Sequence, residues 1–134
     1  MNIREKRGLA YYVGSFSRDG FNPGMYVFYA GTIPQKITEA KQAMFEEIQL
    51  LGDTFVSNAE LELAKNNLIG KHSIAHQSNK ALCLSLGMNE LYGLGYKNFY
   101  EYERRIKAVT KESIKETAQK HFRKSASSTV IVKP

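Results

Sequence analysis

Gly8-Leu9-Ala10-Tyr11-Tyr12-Val13-Gly14-Ser15-Phe16 and Met25-Tyr26-Val27-Phe28-Tyr29-Ala30-Gly31-Thr32 are the two stretches on which the fold turns. Both are short and rich in aromatic and β-branched residues, and turn formers lie between them, so each reads as a strand. The residues between, Ser17-Arg18-Asp19-Gly20-Phe21-Asn22-Pro23-Gly24, are dense in turn chemistry, and the pair is expected as an antiparallel hairpin with a longish loop. Tyr12, Phe16, Tyr26 and Phe28 are expected to pack across the strands rather than form a platform for stacking bases.

From residue 34 the period becomes helical. Pro34 suits a first turn and Gly52 the position just past a helix end, with Ile37, Ala40, Met44, Ile48 and Leu51 on one stripe between them. Ser57-Asn58-Ala59-Glu60 is a capping box that opens a second helix carrying Leu61, Ala64 and Leu68 to about Gln77, with Gly70 weakening its middle. A third, roughly Asn79 to Tyr92, holds Leu82, Leu86 and Leu91 and ends near Gly93 and Gly95. Asn98 is expected to cap a fourth, with Phe99, Tyr102, Ile106 and Val109 inward, and Thr110 a fifth, with Ile114, Ala118 and Phe122 inward. Ser128-Thr129-Val130-Ile131-Val132 is β-branched and reads as a closing strand. The expected fold is therefore an α/β (α+β) sandwich. An antiparallel or mixed sheet lies under helices, in the order β-β-α-α-α-α-α-β.

The 134 residues suffice for one domain, and 43% hydrophobic with 24% charged is ordinary globular composition. Cys83 is the sole cysteine, which excludes a disulfide framework. No stretch approaches 18 apolar residues, so no membrane partner is expected, and the opening residues lack the apolar core of a signal peptide. The charged stretch through Arg7 passes by Gly8 straight into the first strand, so the chain is expected to start inside a longer structure. A net charge of +6, from 19 Lys and Arg against 13 Asp and Glu, permits an anionic partner without requiring one. A basic nucleic-acid-binding module is the alternative from another class. Acids interleave with the basic residues along the helices and no RNA-binding signature occurs, so no nucleic-acid partner is expected.

Chemistry is sparse. His72 and His76 stand four apart on an expected helix, the spacing a metal uses. A zincin pair needs Glu directly after the first His, where Ser73 stands, and the inverted pair needs Glu directly before the second, where Ala75 stands. Neither has the carboxylate that would take a proton from zinc-bound water, so two ordinary helix histidines are expected. Cys83 lies on an apolar helical stretch without a local signature and reads as a small buried hydrophobe. No nucleophile elbow, phosphate loop or dinucleotide fingerprint occurs. No catalytic residue, metal ligand or cofactor is expected in this chain.

Ile3-Arg4-Glu5-Lys6-Arg7-Gly8-Leu9-Ala10-Tyr11 resembles the Arg-Glu-Lys-Arg-Gly-Leu-Ala-Tyr segment in the C-terminal, non-catalytic half of pitrilysin (insulinase-like) zinc metallopeptidases, which include the mitochondrial processing peptidases and many bacterial zinc proteases. The likeness continues through Ala30-Gly31-Thr32, the capped helix with Glu60-Leu61-Glu62-Leu63-Ala64-Lys65-Asn66, and Val109-Thr110-Lys111-Glu112-Ser113-Ile114 with Ala118 and His121-Phe122. It covers nearly the whole chain, and the opening segment is its most specific part.

The resemblance implies paired homologous α/β domains that close around a peptide substrate. The catalytic half carries the inverted His-x-x-Glu-His zinc motif and a distal Glu ligand, so zinc is expected there. The second half completes the cleft, and its Arg and Tyr, seven residues apart, bind substrate near the scissile bond. These positions match Arg4 and Tyr11. A guanidinium and a phenol can both donate to a peptide carbonyl and stabilise negative charge developing on it. Residues 1–134 are then a single partial domain, lacking a β/α portion that precedes this segment in the family. The expected partners are a catalytic half, on the same or another chain, and a peptide. Alone, the chain is expected to show no peptidase activity and to self-associate.

Overall fold

Two strands, β1 (Tyr12–Arg18) and β2 (Met25–Gly31), precede the helices α1 (Ile37–Asp53), α2 (Asn58–Ala75), α3 (Asn79–Leu91), α4 (Tyr102–Lys107) and α5 (Lys111–His121). The computed structural model describes residues 2–18 and 24–132, so residues 19–23 of the expected hairpin loop lie outside the described part. β1 and β2 are antiparallel, in register from Tyr12 opposite Gly31 to Arg18 opposite Met25. An antiparallel sheet with several helices is the expected α+β class. The chain divides into two compact units, Met1–Thr54 with Lys115–Pro134, and Phe55–Ile114.

In the first unit the pleat sorts the aromatic side chains onto two faces. Tyr12, Phe16 and Tyr29 share one, with Tyr29 6.1 Å from each of the other rings. Tyr26 and Phe28 share the opposite one, where both rings meet Phe122, at 5.2 and 5.3 Å. The expected aromatic packing is present. Gly14 and Gly31 make room for it, because a Cβ at Gly14 would lie 2.4 Å from the Tyr29 hydroxyl and one at Gly31 2.2 Å from the Tyr12 ring. The Tyr29 and Tyr12 rings sit over these glycines and shield the backbone there.

α1 follows a 3-10 turn at Pro34–Lys36, with proline in the first turn as expected. Ala40 and Ala43 on α1 are buried against Ile3 and Leu9, with Met44 and Ala10 packed beside them. Gly52 departs from expectation: it lies inside the last turn of α1 and is buried. Gln119 of α5 packs beside it and donates Nε2–H to the Gly52 carbonyl at 2.8 Å, while Lys115 Nζ donates to the Asp53 carbonyl at 3.0 Å. A small residue there lets α5 close on the end of α1. Thr110 caps α5, its Oγ1 accepting from the Ser113 amide at 3.2 Å, and Ala118 is buried.

The expected closing strand is not formed. Ser128 to Val132 have no strand pairing, and Val130 and Val132 are exposed. β-branched residues favour extended backbone, but a strand also needs a ladder, and among the described residues β1 and β2 pair with each other alone.

In the second unit the capping box at α2 is complete. Ser57 Oγ accepts from the Glu60 amide at 3.2 Å, and Glu60 Oε2 accepts from the Ser57 amide at 3.1 Å. The inward stripe of α2 is Leu61, Lys65, Ile69, His72 and His76 at its C-cap, whereas Ala64 and Leu68 face solvent. Lys65 buries its stem and reaches Glu62 Oε1 at 3.1 Å. α3 ends at Leu91, ahead of Gly93 and Gly95 as expected, but Cys83 is exposed because Leu82 and Leu86 take the inward positions. Asn98 does not cap a helix. It lies in a 3-10 turn, Tyr96–Phe99, where its Nδ2 donates to Asn89 Oδ1 at 2.5 Å and its Oδ1 accepts from Arg105. With that amide occupied, α4 begins later, at Tyr102, without a side-chain cap. Among the described residues no helix is long and apolar enough to cross a membrane.

Candidate functional site

Arg4 and Tyr11 bracket a loop that the first unit holds at several points. Arg4 lies in a π-helical turn, Asn2–Lys6, and is exposed; Tyr11 immediately precedes β1 and is 70% exposed. Ile3 and Leu9, each beside or near one of them, are buried at 6% and 3% exposure. The Leu9 amide donates to the Ile3 carbonyl at 3.0 Å, which closes the loop and brings the backbone after Ile3 next to the backbone leading to Tyr11. Two polar residues seven apart are thus presented from one clamped segment whose apolar members point inward.

The remaining polar groups of the loop are also held. Gly8 has φ +58°, a left-handed conformation that glycine adopts without strain, and its carbonyl accepts from Lys36 Nζ at 3.1 Å. The turn at Gly8 consumes residues expected in the strand, which is why β1 starts at Tyr12. The Leu9 carbonyl accepts from Thr32 Oγ1 at 2.6 Å in a part-buried position, and the Tyr11 amide donates to the Gly31 carbonyl at 2.8 Å. Arg7 pairs with Glu46 of α1 at 2.7 Å. That hydrogen bond raises the Arg7 guanidinium above its ordinary value and, with a second from Gln42, holds the Glu46 carboxyl low. Both groups are exposed, so the pair orients more than it stabilises. Neither Thr32 nor Lys36 carries a sequence signal for this role, and Glu46 reads from the sequence as a carboxylate on a solvated helix face. Thr32 stands at the end of the quoted Ala30-Gly31-Thr32, but a hydroxyl bonded to a carbonyl 23 residues away leaves no periodic trace.

His72 and His76 lie together in the second unit, with ring centroids 4.4 Å apart. They are packed rather than merely solvated. His72 stacks on Tyr102 at 4.0 Å, and both imidazoles meet Phe99 at 4.9 Å. His76 Nδ1 lies 2.7 Å from the His72 carbonyl and its Nε2 2.7 Å from Ser85 Oγ. A carbonyl only accepts, so Nδ1 carries a proton toward it, and Nε2 shares the second hydrogen bond with the serine hydroxyl. Burial, and then the neighbouring His76, push the His72 imidazole below its ordinary range. Both nitrogens of His76 are engaged, and among the described residues no three His, Cys, Asp or Glu side chains gather where a metal ion could be held.

Residues 1–68 match the model of a family described as the peptidase M16 inactive domain. The chain belongs to that family. An uncharacterized zinc protease of Rickettsia bellii is 29% identical to this M16 inactive-domain chain over 130 residues, 97% of the chain and 31% of the relative. The uncharacterized zinc protease YmxG of Bacillus subtilis is 26% identical over 121 residues, 90% of the chain and 30% of the relative. The chain therefore spans less than a third of these relatives. The crystal structure of an inactive peptidase domain from Bordetella parapertussis, named for a zinc protease, superposes with a TM-score of 0.77 at 20% identity, covering 89% of this chain and 64% of that one. A protein from Bordetella pertussis Tohama I, also named for a zinc protease, gives 0.70 at 20% identity, covering 87% and 65%. These structures share the fold. The resemblance to the non-catalytic half of pitrilysin-type zinc peptidases holds.

Proposed function

We propose that the chain is the C-terminal part of an inactive peptidase domain that binds peptide and helps close the cleft of a zinc metalloendopeptidase. It contributes to proteolysis only with a catalytic half carrying the inverted zinc motif, on the same or another chain. Residues 1–134 act as one partial domain in this reading. Arg4 and Tyr11 are its substrate-binding residues, and zinc belongs to the catalytic half.

The clamped Arg4–Tyr11 loop carries this reading. Buried Ile3 and Leu9 fix its ends, while the guanidinium and phenol remain free of the core and able to donate to a peptide carbonyl. A backbone held in advance leaves only the two side chains to be ordered when the carbonyl arrives, and their donors can follow charge developing on its oxygen.

The test is cleavage of a quenched peptide by the chain assembled with its zinc-motif half. Arg4→Ala and Tyr11→Phe should each lower kcat/KM roughly a hundredfold, the lower end of the scale for one lost donor. The chain alone should give no turnover. Chelator-sensitive cleavage by the chain alone, or unchanged kinetics in both variants, contradicts the proposal.

A further inference from the structure

Of the groups that hold the Arg4–Tyr11 loop, the Thr32 hydroxyl has the most demanding position. Leu9 is 3% exposed, and its main chain is engaged on both sides: the amide with Ile3 and the carbonyl with Thr32 Oγ1, at 2.6 Å. Two residues on, the Tyr11 amide is taken by Gly31 at 2.8 Å. The adjacent residues Gly31 and Thr32 thus hold the backbone on both sides of Ala10, one by main chain and one by side chain. Lys36 and Glu46 grip the same loop from exposed positions, where water competes for the lysine and the ion pair. Water competes less for the part-buried bond to Leu9, so its loss leaves a carbonyl poorly served.

We infer that Thr32 is a positioning residue for Tyr11: its hydroxyl fixes the Leu9 carbonyl and so sets the direction in which the chain enters β1 and projects the phenol. The inference rests on the substrate-binding reading of Tyr11 for its functional consequence, and on the geometry of the loop for its structural one. Thr32 touches no substrate in this scheme. It acts through the backbone, so its removal misplaces Tyr11 without removing any donor from it.

The test pairs two measurements on Thr32→Val, which keeps the branched shape and deletes the donor, with Thr32→Ser as the conservative rescue and Thr32→Cys as a weak donor of similar volume. The first is the ring signal of Tyr11 in 13C-tyrosine NMR of the chain, assigned with Tyr11→Phe. The second is peptide cleavage by the chain assembled with its zinc-motif half. Thr32→Val should shift and broaden the Tyr11 signal and raise KM roughly tenfold, a misplacement effect, with kcat changing less. Serine should restore both, and cysteine should fall between. Should valine fail to fold, the cysteine chain carries the comparison. If Thr32→Val leaves the Tyr11 signal and KM as they were while Tyr11→Phe weakens cleavage, the inference is wrong and the substrate-binding reading stands. If Tyr11→Phe changes nothing, that reading falls, and the NMR shift alone decides whether Thr32 positions the ring.

Discussion

His72 shows how much a single side chain can hide from a sequence. Its spacing from His76 invites a metal, the residues between deny a catalytic one, and what remains is an imidazole packed flat on Tyr102 at 4.0 Å. Charging it there is unfavourable, because burial strips its water and His76 lies beside it, so its folded value falls below the ordinary 6.5. The unfolded chain then binds more protons than the folded one between the two values. Stability from this site is present above about pH 6.5 and is lost as pH falls through that value toward the lower folded one. The groups facing His72 are His76 on its own helix, the uncharged Phe99 of the 3-10 turn and Tyr102 of α4, with Ser85 of α3 holding His76 in place. Acidification from pH 7.5 to 5.5 should therefore lower the melting temperature of the native chain, and His72→Phe should flatten that dependence. Equal slopes in the two proteins would refute the assignment. At this scale the sequence was only partly legible. The Arg4–Tyr11 spacing was readable through a family likeness. The Thr32 bond and the histidine packing were not, since each depends on residues brought together from distant positions.

Elements were read best where their signals are local. The capping box of α2, Ser57 with Glu60, needs only four residues, and it forms as expected with both reciprocal bonds. Ser57→Ala should cost about 1 kcal/mol, the usual loss for a serine N-cap, visible as a lower urea midpoint with an unchanged slope. Ser57→Asp should retain most of the stability, and an alanine variant as stable as the parent would show that packing alone holds the helix. The same helix shows where periodicity misled. Its stripe was expected at Leu61, Ala64 and Leu68, yet the buried side runs through Leu61, Lys65, Ile69 and His72. Lysine and histidine carry apolar bodies under polar tips, so they bury where a hydrophobic/polar alphabet places them outside. Asn98 failed as a cap for a similar reason: its amide serves Asn89 and Arg105 instead. The Ser128–Val132 segment has strand composition, but composition supplies no partner.

At the scale of the whole molecule, the apolar surface is the feature that most needs a partner. Tyr12, Phe16 and Met25 are exposed on the face of the hairpin that also carries Tyr29, and Val130 and Val132 are exposed near the end of the described chain. Among the described residues the buried hydrophobic core is small: Ile3, Leu9, Ala40, Ala43, Leu61 and Ala118. Among the described residues the two strands pair only with each other, so each has an outer edge without a strand partner there. An aromatic face beside open edges attracts more strand or another apolar face, and in a solution of this chain alone the available one is a second copy. The chain should accordingly self-associate as concentration rises, with a weight-average mass in sedimentation above 15.2 kDa. Phe16→Lys and Tyr29→Lys together place charge on that face and should return the mass toward the monomer while leaving the far-ultraviolet spectrum intact. A monomer at every concentration from micromolar to millimolar would mean that the aromatic face is sufficient to itself, its rings already covering Gly14 and Gly31.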